Sequence, residues 1–214
     1  NSDGDITSTV QVNQEAGFSI INYQNNGTNS ARVGHGLDAT PEVVLIKKYS
    51  VTASWHLMTT AIDGSFDDLI LNDNAAKSDS SLTAPTSTTF AAESGGTGED
   101  MMCYAWTPIA GYSKFGSYTG NGSTTGPIIT LGFAPGLLIL RKVGGDRWIM
   151  ADNKRDTSNP NDKFLDAQDT HVESTLGLTG GVDFLSNGFQ LKTTDGGGNE
   201  NNEEYFYMAW REAS

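Results

Sequence analysis

Residues 41–48 read Pro-Glu-Val-Val-Leu-Ile-Lys-Lys, and residues 135–142 read Pro-Gly-Leu-Leu-Ile-Leu-Arg-Lys. Each stretch places four consecutive apolar residues between a pair that begins with proline and a pair of basic residues. A short, unbroken apolar run bounded by turn residues is typical of a strand covered on both faces. The two stretches therefore predict a central, sandwiched strand in each of two similar halves of the chain.

The sequence around these strands also repeats. The segment 19–28 resembles 114–123, and the ends of the two halves share a Tyr-Ala-Trp or Met-Ala-Trp motif at 104–106 and 208–210. The matched pairs are Tyr23 with Tyr118, Gly27 with Gly122, Trp55 with Trp148, and Trp106 with Trp210. The last pair is spaced more widely, which predicts an insertion before the final strand of the second copy. We expect a linker at 1–15, a first repeat at 16–109 and a second repeat at 110–214.

The apolar runs are four to seven residues long, rich in β-branched and aromatic types, and separated by turn residues, so they predict strands and very little helix. The expected fold is all-β, with two tandem, homologous β-sandwich repeats of jelly-roll or lectin-like type and mostly antiparallel strands. The predicted strands are 18–23, 43–48, 54–59, 68–71, 88–92 and 101–106 in the first copy, and 113–118, 127–131, 137–142, 147–151, 182–185, 189–192 and 204–210 in the second.

The connections carry two further predictions. Asn26-Gly27 and Asn121-Gly122 each follow a predicted strand, and Asn-Gly is favoured in tight hairpin turns because both central residues need positive φ. We therefore expect a hairpin at each. The segment 78–86 is mostly polar and the segment 193–202 is polar and glycine-rich, which favours exposed, mobile loops.

Charge excludes some classes of partner. The 214 residues include 13 Lys and Arg against 26 Asp and Glu, for a formal net charge of -13. Such a chain repels phosphate backbones and anionic lipids, so we expect no nucleic-acid partner. Apolar runs stay well short of the roughly 18 residues that span a bilayer, so we expect no membrane insertion. The polar start without Met suggests a piece of a longer polypeptide.

The residue types that carry catalysis show no useful pattern. The three histidines, His35, His56 and His171, lack the short spacings of zinc sites, and His35 is expected in a packed bend between glycines. Cys103, the single cysteine, lies in an apolar run and is expected to be a small buried side chain. The glycine-rich segment 120–126 precedes a strand where a phosphate-binding loop would precede a helix, so a turn is expected. We predict no enzyme and name no catalytic, cofactor-binding or metal-ligating residue, although paired acids cannot be judged without the fold.

The four tryptophans belong to the repeated framework, so we expect them in the core, with their ring N–H groups satisfied, and not as sugar-stacking platforms. Tyr49 and Tyr112 lie outside the matched positions and are better candidates for a binding surface. Two polar loops, 152–162 and 195–204, offer oxygen ligands for Ca²⁺ but lack a complete ligand loop with a closing glutamate. We expect solvated turns and no cofactor, with Ca²⁺ as the alternative.

Several stretches resemble a repeat found in virion proteins of tailed bacteriophages, many of them marine. They are 17–20, 33–37, 111–123 and 183–189, and the resemblance extends to the linker-like segment 5–11. It implies a tail-fibre-like or other virion-surface structural protein, located in the extracellular virion. It implies no catalytic or receptor-contacting residue.

Three functions fit these observations. The first is a non-catalytic virion appendage module whose loops bind a host surface glycan or a neighbouring subunit. The second is a carbohydrate-binding module or a polysaccharide depolymerase, suggested by the aromatic and acidic residues. The third is a self-assembling filament or capsid-decoration protein, for which the partner is another copy of the chain or another virion protein.

Overall fold

The computed structural model describes residues 1–173 and 178–212, and all regular secondary structure within these ranges is β. The predicted all-β, antiparallel fold class is therefore confirmed. No helix in the described part of the chain could span a membrane. The chain forms two compact units: unit 1 comprises Asn1–Leu71 and Ser78–Ile109, and unit 2 comprises Asn72–Lys77 and Ala110–Ser214.

Unit 1 is built on a seven-stranded antiparallel sheet with the order β1-β2-β9-β4-β5-β6-β7, accompanied by the two-stranded sheet β3-β8. Its strands are β1 (Ser8–Asn13), β2 (Phe18–Gln24), β3 (Arg32–Gly34), β4 (Val43–Lys48), β5 (Trp55–Thr59), β6 (Asp67–Ile70), β7 (Ser78–Asp79), β8 (Thr89–Ala91) and β9 (Asp100–Trp106).

The core of unit 1 follows from strand alternation. In β9, Met101, Cys103 and Ala105 are fully buried, while the residues between them are only half-buried. Successive side chains of a strand point to opposite faces, so these three cover one face of the sheet. The small sheet packs on that face, where the Tyr23 ring of β2 meets the Phe90 ring of β8 edge-on at 5.9 Å. Unit 1 therefore buries its core between a large and a small sheet.

Unit 2 has a five-stranded sheet with the order β10-β17-β12-β13-β14 and a three-stranded sheet with the order β11-β16-β15. Its strands are β10 (Ser113–Thr119), β11 (Ile128–Thr130), β12 (Pro135–Lys142), β13 (Trp148–Asp152), β14 (Leu165–Asp166), β15 (Val182–Leu185), β16 (Gly188–Leu191) and β17 (Glu204–Arg211).

The strand orders of the two units correspond. The order β2-β9-β4-β5-β6 of unit 1 recurs as β10-β17-β12-β13-β14, and the β3-β8 pair recurs as β11-β16. The contact between Tyr23 and Phe90 recurs between Tyr118 and Phe189, whose rings also meet edge-on, at 6.1 Å. β15 has no equivalent among the named strands of unit 1 and lies in the insertion expected before the last strand. That the halves are homologous repeats stays a prediction.

The N-terminal segment differs from the expected linker. Residues 1–15 contain β1, which pairs with β2 along its whole length. Ile6 is 6% exposed and packs in the core of unit 1. Residues 9–13 alternate polar and apolar side chains, but most of β1 is exposed, including Val12 at 38%. The strand is therefore held mainly by its backbone pairing with β2.

Both hairpin predictions are wrong. β2 pairs with β1 and β9 and not with β3, and β10 pairs with β17 and not with β11. Gly27 and Gly122 do adopt positive φ, at 80° and 62°. Each preceding asparagine accepts a hydrogen bond from the N–H two residues on, a local turn that redirects the chain to the other sheet. Asn26 and Asn121 do not adopt positive φ, so the predicted turn type is also wrong, and only the turn positions and the positive φ of the glycines agree with the prediction.

Candidate binding pocket

A polar pocket of about 250 Å³ opens in unit 1. Two strands of the large sheet, β5 and β6, form its floor, and β7 with the loops on either side of β8 forms its walls. Eight of its ten lining residues are polar: Asn29, His56, Asp68, Asp79, Ser80, Ser81, Glu93 and Ser94, joined by Met58 and Leu82. Polar groups that converge in a recess are the usual mark of a ligand site.

His56 and Asp68 form the centre of the floor. His56 lies on β5, and β6 pairs Met58 with Asp68, so the two side chains are diagonal neighbours on one face of the sheet. The Nδ1 atom of His56 lies 2.9 Å from Oδ2 of Asp68. This hydrogen bond to Asp68 raises the pKa of His56 above its usual value. The imidazole is thereby fixed in orientation and favoured in its charged form.

Glu93 closes the pocket from the loop after β8. Its Oε1 atom lies 3.7 Å from Nε2 of His56 and 3.4 Å from Nζ of Lys48, at the end of β4. Its other oxygen, Oε2, is buried and has no hydrogen-bond partner within the described ranges. The pocket wall therefore keeps an acceptor that the protein itself does not satisfy.

The arrangement is suited to recognition. Both ring nitrogens of His56 face carboxylates, so neither is directed at a hydroxyl group that it could deprotonate. Three carboxylates, from Asp68, Asp79 and Glu93, outnumber the one histidine among the lining residues. Such a pocket favours ligands rich in hydrogen-bond donors and disfavours anions.

His35 lies in the core, as expected from its flanking glycines. Its side chain is fully buried; Nδ1 accepts a hydrogen bond from the N–H of Leu37 at 3.0 Å, and Nε2 lies 3.1 Å from the carbonyl of Thr86. A nitrogen that accepts from an N–H carries no proton, so Nε2 is the donor. Burial lowers the pKa of His35. The ring therefore joins the loop after β3 to the loop before β8 through its hydrogen bonds.

The tryptophans were predicted in the core, and only Trp148 is fully buried. Trp55, Trp106 and Trp210 are half-buried, so the prediction is wrong for them. Alternation explains Trp106, which lies on the face of β9 opposite Ala105 and the core. There its ring packs 5.2 Å from that of Phe18. Repetition of an aromatic therefore did not imply burial, because the repeated framework includes both faces of each sheet.

In the loop 152–162, which was considered for Ca²⁺, the two carboxylates Asp152 and Asp156 bind groups of the protein, whereas Oδ1 of Asn153 and of Asn161 are buried without a hydrogen-bond partner in the described ranges. Asp156 is 3% exposed and accepts the backbone N–H groups of Ser158, Asp162 and Lys163. Asp152 accepts two backbone N–H groups and the Nε of Arg155 at 2.6 Å. Across 1–173 and 178–212, no three His, Cys, Asp or Glu side chains are grouped to hold a metal ion. Ca²⁺ binding by the loops 152–162 and 195–204, the alternative to solvated turns, stays a prediction.

The loop 193–202 was expected to be exposed and mobile, and this is wrong. Thr193 and Asn199 are fully buried. The hydroxyl groups of Tyr118 and Tyr205 donate to backbone carbonyls of this loop at 2.7 and 2.6 Å. Cys103, by contrast, is buried as predicted, and burial raises the pKa of its thiol.

Tyr49 and Tyr112 are exposed, at 52% and 40%, but neither lines the pocket. The residues that do so were not recognised in the sequence. His56 was seen without a partner because Asp68 and Glu93 belong to later strands and loops, and only the pairing of β5 with β6 brings them together. Alternation in β5, which places His56 on the same face as the buried Met58, was the one available indication.

Comparison with known proteins places the chain in a family. A family model for a domain of unknown function, DUF7483, matches residues 1–214. The chain belongs to this family. No curated protein and no solved structure matches it.

Proposed function

We propose that this DUF7483 chain is a non-catalytic module of a virion appendage that binds a host surface glycan in the pocket around His56. The virion setting is supported by the resemblance of 17–20, 33–37, 111–123 and 183–189 to phage virion repeats. The observation that carries the binding function is the pocket itself, in which His56, Asp68 and Glu93 converge on a recess whose floor is formed by β5 and β6.

The chemistry of the pocket matches a sugar. Its volume of about 250 Å³ is at the small end for ligand sites and has room for one sugar unit. Sugar hydroxyl groups donate hydrogen bonds, and carboxylates accept up to four each. Asp68, Asp79 and Glu93 together make the pocket acidic, so a neutral or amine-bearing sugar is favoured over a uronic or sialic acid.

The first prediction concerns a variant that blocks the pocket. Ser81 is exposed at its rim, so Ser81→Trp should fill the opening without disturbing the core. We expect loss of binding to host cells and to their purified neutral polysaccharide by about tenfold or more, measured by co-sedimentation and calorimetry. Ser87→Trp, at another exposed serine between β7 and β8 that does not line the pocket, is the matched control and should bind normally.

A second variant removes a carboxylate instead of adding bulk. Asp68→Asn should weaken binding by about tenfold or more, because a hydrogen bond to a charged group typically contributes about 1.5–3 kcal/mol. Equal binding by wild-type protein and Ser81→Trp, or no binding of any host polysaccharide, would contradict the proposal. New reducing ends after incubation would show that the module cuts the polysaccharide, which contradicts its non-catalytic part.

A further inference from the structure

Unit 2 holds a buried cation on the face of its large sheet that lies away from the core. In β12, Leu138 and Leu140 belong to the core, so Arg141 points to the opposite face. β12 pairs Arg141 directly with Trp148 of β13, and the guanidinium lies 5.2 Å from the centre of the Trp148 ring. Both side chains are fully buried. Burial lowers the pKa of Arg141 to about 10.

The cover over this pair is the segment Asn72–Lys77, which the chain contributes to unit 2 immediately after β6 and Leu71. Arg141 donates from Nη1 to the carbonyl of Asp73 at 2.7 Å and from Nη2 to the carbonyl of Ala75. The N–H of Lys77 donates to the carbonyl of Val143 at 2.9 Å. Backbone groups of Asp73, Ala75 and Lys77 therefore make all three of these hydrogen bonds.

Unit 1 carries the same pair in the equivalent place. β4 pairs Lys47 directly with Trp55 of β5, and the Nζ of Lys47 lies 5.8 Å from the centre of the Trp55 ring. Here the two side chains are half-buried, whereas Arg141 and Trp148 are fully covered. The turn that follows Lys47 exposes Tyr49 and Val51, at 52% and 42%, and the hydroxyl of Tyr49 accepts a hydrogen bond from Nδ2 of Asn22 at 2.9 Å. We call Lys47, Trp55, Tyr49 and Val51 the acceptor patch.

Unit 2 also carries the equivalent of the covering segment. Leu71, which precedes Asn72–Lys77, donates its N–H to the carbonyl of Trp55 at 3.0 Å, and Ala167 donates to the carbonyl of Trp148 at 3.0 Å. Residues 168–173 thus follow β14 as Asn72–Lys77 follows β6. Both begin with an amide residue and an aspartate, Asn-Asp and Gln-Asp. Val172, near the end of this segment, is 85% exposed.

We propose that the acceptor patch of one copy of this chain binds residues 168–173 of a second copy, so that copies associate head to tail. The occupant is a second copy because unit 2 already shows how this pair of side chains receives such a segment. Lys47 already donates one N–H of its ammonium to the carbonyl of Ala53 in its own turn. A second N–H donates to a backbone carbonyl of the bound segment, as Arg141 does, and Val172 packs against Tyr49 and Val51. Lys47 offers a single ammonium where Arg141 offers a fork, so the contact is weaker and reversible.

The two surfaces differ from each other, so the interface is heterologous and repeats without closing unless the rotation completes a ring. Wild-type protein should therefore form concentration-dependent oligomers, measured by sedimentation velocity up to about 1 mM. Val172→Asp disables the donor, and Lys47→Glu disables the acceptor. Each should raise the dissociation constant by about tenfold or more. Val12→Asp and Lys163→Glu, at exposed positions outside both surfaces, should leave it unchanged.

Mixing the two disabled variants tests whether the contact between copies is head to tail. Val172→Asp keeps an intact acceptor patch and Lys47→Glu keeps an intact donor, so the mixture should form a one-to-one dimer and nothing larger. Circular dichroism confirms that each variant is folded, and Tyr49→Ser serves as a second acceptor variant if Lys47→Glu is not. Wild-type protein that stays monomeric, variants that associate as wild type does, or a mixture that forms no dimer would each overturn the proposal.

Discussion

At the scale of a single residue, His35 is buried as a neutral ring whose Nδ1 accepts the N–H of Leu37. Its pKa in the folded protein is lowered by burial from 6.5. Below pH 6.5 the unfolded chain therefore binds more protons than the folded one, and the free energy of unfolding falls as pH falls. A single histidine contributes at most about 1.4 kcal/mol per pH unit to this loss.

His35→Gln tests this contribution, because the amide retains an acceptor and a donor but does not titrate. Between pH 6.5 and about pH 5, the free energy of unfolding measured in urea should depend less steeply on pH in His35→Gln than in the wild type. His56 acts in a different window, since its raised pKa adds stability that is lost as pH rises above 6.5. Equal slopes for wild type and His35→Gln below pH 6.5 would contradict the prediction.

Single residues also show how far the sequence leads toward the site. The burial of Cys103 and His35 could be predicted, because both lie among apolar or small neighbours along the chain. The pocket could not, because His56, Asp68 and Glu93 meet only once β5, β6 and the loop after β8 are placed side by side. A polar side chain on a strand gives no local indication of what faces it across the sheet.

At the scale of an element, the loop 193–202 is held by Asn199. Its Nδ2 donates to the carbonyls of Ser123 and Thr193, each at 2.8 Å, and its Oδ1 accepts the N–H of Asn121 at 2.8 Å. Asn199→Ala leaves these groups without a partner in a buried site. We expect the free energy of unfolding to fall by about 1–3 kcal/mol, measured by urea denaturation. The exposed Asn201→Ala is the control, and a loss no greater than that of the control would show that the loop is held otherwise.

Elements with strong hydrophobic patterns were predictable, and short ones were not. Each predicted strand is found, with ends shifted by a few residues. The strands that were missed are β1, β3, β7 and β14. β7 and β14 have two residues each and are set by their neighbours in the sheet, and β3 has three. Such segments carry too few side chains to show a period, and backbone pairing alone defines them.

At the scale of the whole molecule, the two units have corresponding strand orders. One sequence motif, present once in each half, therefore predicted the central strand of both large sheets. The Pro-led apolar runs at 41–48 and 135–142 became β4 and β12, each between the last strand of its unit and the next hairpin strand. What the motif could not predict was the assignment of Asn72–Lys77 to unit 2, because its hydrogen bonds to Arg141 come from backbone carbonyls, which every residue type has.

The net charge of -13 bears on the association of copies. Two such chains repel each other at low salt, and the repulsion is screened once the Debye length shrinks to about 10 Å or less, near 0.1 M salt and above. The proposed contact joins an ammonium to a carbonyl and apolar side chains to one another. Because it contains no pair of opposite full charges, salt weakens it little. We therefore expect the dissociation constant between copies to fall as NaCl rises from about 50 mM to about 500 mM, measured by sedimentation velocity. Val172→Asp should keep a dissociation constant about tenfold or more above that of the wild type at every salt concentration. Dissociation on adding salt would instead show that opposite charges hold the copies together, which the contact between Lys47 and a backbone carbonyl does not allow.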